Sequence, residues 1–148
     1  MKDMTQNKAV QLLAPADITN TDTETLLLDT QGFEGAGIIV NVGALTGHDA
    51  TNHAELVVQE CDTTADADFT DVASTDLIGA LPDLNGAAAD DNQLYSVCYI
   101  GRKRYIRVSI EVTEAGPGTI TSMILGVTGV LSFARHMPAL DPVAVAAT

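Results

Sequence analysis

Three histidines, twenty carboxylates and two cysteines are the side chains of this 148-residue sequence able to do acid–base, metal or nucleophilic chemistry, and their spacing decides whether they do. His48, Asp49, His53 and Glu55 sit together in GHDATNHAE. Imidazole beside carboxylate suits a transition metal or an acid–base pair. A zinc-protease helix, however, places its histidines four apart with glutamate beside the first. Here they are five apart in a turn-rich segment, which reads as a surface loop. His136, beside Arg135, has no partner in sequence. Asp62, Asp66, Asp68 and Asp71 crowd one stretch in a way that invites calcium. The alternating ligands, central glycine and closing glutamate of an EF-hand loop are missing, so solvated loop acids are expected. Cys61 and Cys98 match no zinc or CXXC spacing and read as reduced strand residues. No GXSXG elbow occurs, and GFEGAG and GPG lack the strand, glycine spacing and helix that cradle a phosphate. The expectation is a non-enzymatic chain without metal or cofactor.

Charge placement says more than any motif. Twenty acids against seven bases give a net charge of -13, which disfavours a nucleic-acid backbone as a direct partner. Residues 1–100 hold 17 acids and 2 bases, whereas residues 101–148 hold 3 acids and 5 bases. Four of those bases are Arg102, Lys103, Arg104 and Arg107, a basic spot on an acidic body. They pair either with carboxylates of this chain or with those of another subunit. The opening MKDMTQNK is polar and is followed by no apolar signal region, so synthesis in the cytoplasm is expected.

The elements that would position these side chains are strands. Apolar and β-branched runs recur between Gly, Asp, Asn and Pro clusters, the pattern of an all-β fold, an antiparallel β-sandwich or jelly-roll-like single domain with extended termini. Strands are expected near 9–14, 24–30, 36–44, 54–61, 93–101, 103–113 and 119–133. In RYIRVSIEV, Ile106, Val108, Ile110 and Val112 share one face while Arg107, Ser109 and Glu111 share the other, so this strand should be half buried. QLYSVCYI has no plainly polar face and suggests cover on both sides. Gly101-Arg102 between these two runs suggests a hairpin. The twenty uncharged residues from 115 to 134 have the length of a membrane span, but their glycines and five hydroxyls favour a buried strand pair, bulged at Gly126 or Gly129. Residues 62–92 are mostly loop, with apolar islands at 69–72 and 77–81. The organisation expected is an N-terminal arm and first strand over 1–23, a sandwich over 24–135, and an extended C-terminal arm over 136–148 that needs a surface to lie against.

LLLDTQGFEGAGIIVNVGA, AELVVQECDTTADADFTDV and YSVCYIGRKRYIRVSIEV, followed by a glycine-rich apolar strand, together resemble the small structural proteins that accompany the major capsid protein in tailed bacteriophages. The likeness spans roughly residues 24–133. Its most recognisable piece runs from Tyr95 through Val97, Tyr99, Gly101, Lys103, Arg104, Tyr105 and Arg107 to Val108. What the resemblance implies is a head decoration or cement protein of the virion, a β-sandwich on the capsid lattice, often trimeric, with the major capsid protein as partner and neither nucleic acid nor membrane. It carries no binding residues with it. The elements suited to contact are the 119–133 strand, the arm with Met137, Pro138, Leu140 and Val143, and the cations Arg102, Lys103, Arg104 and Arg107. The same likeness leaves room for a head-to-tail connector or tail component. A free ligand-binding sandwich is the alternative of another class, although no tryptophan is available as a sugar platform.

Overall fold

The computed structural model describes residues 6–86, 90–135 and 146–148. Strands account for 57% of the chain and helix for 5%, which settles the class as all-β, with two antiparallel sheets packed as a sandwich. In chain order the strands are β1 (Lys8–Asp17), β2 (Thr23–Glu24), β3 (Leu28–Asp29), β4 (Phe33–Thr46), β5 (Asn52–Cys61), β6 (Thr70–Asp71), β7 (Leu77–Ile78), β8 (Asp83–Leu84), β9 (Leu94–Tyr99), β10 (Tyr105–Glu114) and β11 (Ser122–Ala134). Sheet A runs β1-β11-β4-β9-β7. Sheet B runs β2-β10-β5-β6, with β3 also on β10 and β8 also on β5.

The core lies between the sheets and follows the period of two that a pleated strand imposes. Ile38, Val40 and Val42 of β4, Met123, Leu125, Val127 and Leu131 of β11, and Val97 of β9 face Leu56 and Val58 of β5 and Ile106, Val108 and Ile110 of β10. Burying such side chains is worth about 1.5–3 kcal/mol each and offsets the chain entropy of a fold dominated by long-range pairing. The 115–134 segment supplies one strand, β11, held on both sides by β1 and β4, and not a pair. Among the described residues no helix is long and apolar enough to cross a membrane.

Several expectations need correction. The run at 24–30 is broken into β2 and β3, because Thr25 turns its backbone N–H and hydroxyl toward Val108 while Leu27 and Leu28 drop into the core. β11 itself carries no extra residue: its ladder with β4 shifts between Met123 and Leu125, where β4 has the added residue, and its ladder with β1 shifts between Thr128 and Leu125, a span that includes Gly126, where β1 has the added residues. Gly129 is there for closeness: a Cβ would stand 2.8 Å from both methyls of Leu28 on the opposing sheet. β9 and β10 are not a hairpin. β9 pairs with β4 and β7, β10 pairs with β5, β2 and β3, and the 100–104 connection carries the chain from one sheet to the other. The crossing is pinned by Tyr99, whose hydroxyl accepts from the Lys103 N–H at 2.9 Å and donates to Glu60 of sheet B. Burial, then the Glu60 carboxylate, holds that phenol well above the usual tyrosine range. Gly101 lies against the ring, where a Cβ would meet the phenolic oxygen at 2.4 Å.

The half-buried reading of β10 also fails, since Tyr105 to Ile110 are all buried. The face expected to be wet is roofed by the 62–76 connection. The described part of the 62–92 segment is loop with two single-turn 3-10 helices, at Asp66–Asp68 and Ser74–Asp76, short strands β6 and β7 within the expected apolar islands, and β8 beyond them. β9 errs the other way: Leu94, Ser96 and Cys98 are exposed, so it is covered on one side only.

Candidate functional site

Among the described residues, none of the sequence constellations assembles into a reactive centre. His53 Nδ1 lies 2.6 Å from Asp83 Oδ1 on the outer side of sheet B. The His48 ring is turned elsewhere, and neither of its nitrogens makes a well-formed hydrogen bond. Burial lowers the His48 pKa, and the nearby Thr46 backbone and the carboxylates of Asp91, Asp49 and Asp90 offset this only in part, so the ring is neutral at pH 7. Glu55 is exposed, paired across the sheet with Glu111 and Asp83. Among the described residues no group of three His, Cys, Asp or Glu side chains converges as metal ligands would. The four loop acids are spent singly: Asp62 on Lys103, Asp66 on Arg107, Asp68 on the Thr63 hydroxyl and Asp71 on Gln59. Cys61 is buried, Cys98 exposed, and both are free thiols.

Asp49 shapes a turn. Its Oδ1 accepts from the N–H of Thr51 at 2.7 Å, the hydroxyl of Thr51 at 2.7 Å and the N–H of Asn52 at 2.8 Å. Oδ2 accepts from the Asn52 amide, whose own oxygen accepts from the Gly116 N–H. These donors favour the carboxylate, led by the Thr51 hydroxyl, and lower its pKa to about 2. A folded pKa below the unfolded value gives stability that is present above pH 4 and lost as pH falls from 4 through 2. Thermal melts between pH 7 and pH 2 should therefore show the gap between wild type and Asp49→Asn narrowing in that window. A constant gap would deny the carboxylate this role.

The basic spot is divided by the β9–β10 crossing. Lys103 Nζ pairs with Asp62 at 2.6 Å, and Arg104 makes a two-bond fork to Asp29 at 3.0 and 2.8 Å. Arg107, expected on an exposed face, is only 4% exposed. Its guanidinium donates to Asp66, donates to Gln59 Oε1 at 2.9 Å and stacks 4.3 Å above the Phe69 ring. Sequence alternation gave its side of the sheet correctly but could not show the loop that covers it. Internal balancing thus accounts for Lys103, Arg104 and Arg107, while Arg102 makes no ion pair among the described residues. Met137, Pro138, Leu140 and Val143 lie outside the described residues. At the end of the same arm, Thr148 returns to this chain: its N–H donates to the Thr64 carbonyl at 2.8 Å, and its own carbonyl accepts from the Asp66 N–H at 3.2 Å.

Two surface features emerge that the sequence alone did not reveal. The first is a charge difference between the two sheet faces. On the outer face of sheet A, one register row reads Ala9, Val130, Gly37, Cys98, Ile78 and the next Gln11, Thr128, Ile39, Ser96. Neither row contains a charge, and Ile78 and Leu94 are 61% and 66% exposed. The outer face of sheet B instead carries Asp83, Glu55 and Glu111 in one row. On a chain of net charge -13, an uncharged apolar face is a place where another surface can approach without desolvating carboxylates. The second feature is a cleft of about 780 Å³ at the end of the sandwich where β9 crosses to β10. Arg102, Lys103, Arg104 and Arg135 line it with Phe33, Tyr99 and Phe133, which is four of the chain's seven bases and three of its six aromatics. The chain matches no protein-family model and no curated protein.

Proposed function

We propose that this chain is a non-enzymatic structural protein of a tailed-phage virion, a decoration or cement protein that lies on the capsid lattice and stabilises it. The observation that supports this reading is the uncharged outer face of sheet A on an otherwise acidic body. A flat face built from β11, β4 and β9 is suited to broad, low-relief contact. The contacts it offers are weak singly, without a concentrated aromatic anchor on the sheet itself. Repetition on a lattice turns such contacts into avidity, because each added copy or contact acts at high effective concentration. Binding to the assembled shell and not to its free subunits stabilises the shell by linkage.

In this reading the partner is the major capsid protein, the chain is made in the host cytoplasm and resides on the virion surface, and a trimer is the favoured assembly. The acidic face of sheet B is directed to solvent, and Arg102 supplies a polar supplement at the edge. β11 contributes through its outward residues, its inward ones being committed to the core. The test is the copy number of the chain in purified particles, by quantitative mass spectrometry against the major capsid protein. On the order of hundreds of copies is expected for a symmetric coat. About a dozen copies or fewer, the number a ring at one vertex would need, would replace this reading with a connector.

A further inference from the structure

We propose that the basic end cleft is the seat for the acidic end of a second copy of this chain, so that copies associate head to tail. The inference stands on charge placement within the fold and does not rest on the capsid reading. All the long strands run between two ends. At one end the 30–35, 100–104 and 132–135 segments form the cleft. At the other, the loops after β1, β4 and β10 and the loop before β9 bring together Asp17, Asp22, Asp49, Asp90, Asp91 and Glu114. Among the described residues those loops contain no lysine or arginine.

The carboxylates at that end have no cationic partner among the described residues. Three of them bind neutral donors: Asp22 accepts from the Val112 N–H, Asp91 from the Leu45 N–H and Glu114 from the Ile120 N–H, each at 2.7 Å. Hydrogen bonds from the Met123 and Thr19 N–H groups and the Ser122 hydroxyl lower the Asp17 pKa, which favours its charged form. No cation offsets this set of charges within the chain's described residues.

The cleft end holds what such a surface lacks. Lys103 and Arg104 are balanced by Asp62 and Asp29, but Arg102 and Arg135 form no ion pair among the described residues. Ile100 and Phe133, 55% and 64% exposed, line the same cleft. Phe133 has φ of 55°, a left-handed conformation that a non-glycine residue adopts at a cost, and its ring lines the cleft. Arginine and an exposed aromatic ring in a concave site are the side chains that carry most binding energy in protein interfaces. Acid at one end and base at the other complement each other by translation and not across a two-fold axis. The contact is therefore heterologous and closes into a ring or extends as a chain.

Salt provides a signature. Two bodies of charge -13 repel over about 30 Å at 0.01 M salt, about 8 Å at 0.15 M and about 3 Å at 1 M. At 0.01 M whole-body repulsion wins, at 0.15 M only facing charges count, and at 1 M those are screened as well. Sedimentation velocity of the purified chain should thus give an associated fraction that peaks near 0.15 M. The pair Arg102→Glu with Arg135→Glu should weaken association at least about tenfold, and Arg102→Gln with Arg135→Gln less, with unfolding midpoints kept near wild type. Asp22→Asn with Asp90→Asn, at the other end, should weaken it too. Mixing the two impaired proteins should yield one-to-one dimers, since the intact acidic end of the first fits the intact cleft of the second. A chain that stays monomeric at every salt concentration, an oligomer that survives both sets of substitutions, or a mixture that forms no dimer overturns the proposal. Association that appears only after removal of residues 137–148 would give the cleft to the chain's own end and overturn it as well.

Discussion

Replacing Asp66 by alanine should destabilise the protein by about 3 kcal/mol, more than removing the arginine it pairs with. The Arg107 side chain is 5% exposed and that of Asp66 57%, so the two partners lose unequal amounts when left alone. Without Arg107, Asp66 returns to water at little cost. Without Asp66, a guanidinium stays under the 62–76 roof with only Gln59 and the Phe69 ring for company, and an uncompensated buried charge is among the costliest defects a fold can carry. The figure sits at the low end of the range for broken buried pairs because water already reaches the carboxylate. Arg107→Met keeps the length and packs a flexible thioether against Phe69, so it should cost about 1 kcal/mol or less. The double variant should recover most of what Asp66→Ala loses. Urea unfolding of the four proteins measures the cycle, and at this chain length the larger loss corresponds to about 6–12 °C in Tm. An Asp66→Ala midpoint within experimental error of wild type would show that the loop does not seal the arginine.

The same pair shows where sequence reading reached its limit. The strands and their inward faces were legible because a period of two is a local property: Ile106, Val108 and Ile110 declare their side without reference to any other segment. Which strand neighbours which is not local. QLYSVCYI and RYIRVSIEV are separated by three residues and suggest a hairpin, yet the β9–β10 crossing sends them to opposite sheets, using a tyrosine hydroxyl and a glycine as its hinge pin. Arg107 illustrates the same point for side chains. Alternation placed it on the outer face of sheet B, but exposure depended on a loop forty residues earlier whose Asp66 and Phe69 carry no signal of their destination.

The candidate surfaces were less legible still. The basic spot at 102–107 was visible as composition, but its division into paired and unpaired members depended on Asp29 and Asp62, distant in sequence. Arg135 and Phe133 entered the cleft only through the register of β11 on β4. The uncharged face of sheet A is spread over five strands, each contributing one to three innocuous residues. A signal could have been found by asking of every strand which outward positions lack charge: β11 has none on any position, whereas β5 and β10 do.

That face yields the largest functional effect. Thr128 lies at its centre, between Gln11 of β1 and Ile39 of β4, with its side chain directed away from the core. Thr128→Glu puts a carboxylate on a strand position open to water, so the free protein should keep its stability within about 1 kcal/mol. If this is the face laid on the capsid, docking must strip that carboxylate of water with no cation to meet it, at about 2 kcal/mol or more per contact. Because each copy is held by several weak contacts, even that loss should reduce occupancy on purified shells at least about tenfold. Thr113→Glu supplies the control: Thr113 lies opposite His53 on the acidic side of sheet B, where one more carboxylate changes the surface little, and occupancy should stay as in wild type. The comparison separates a loss of docking from a general effect of added charge, since both variants carry the same substitution and differ only in the sheet that bears it. Equal occupancy for the two would mean that sheet A faces solvent, and the reading of this chain as a shell-bound sandwich would lose its support.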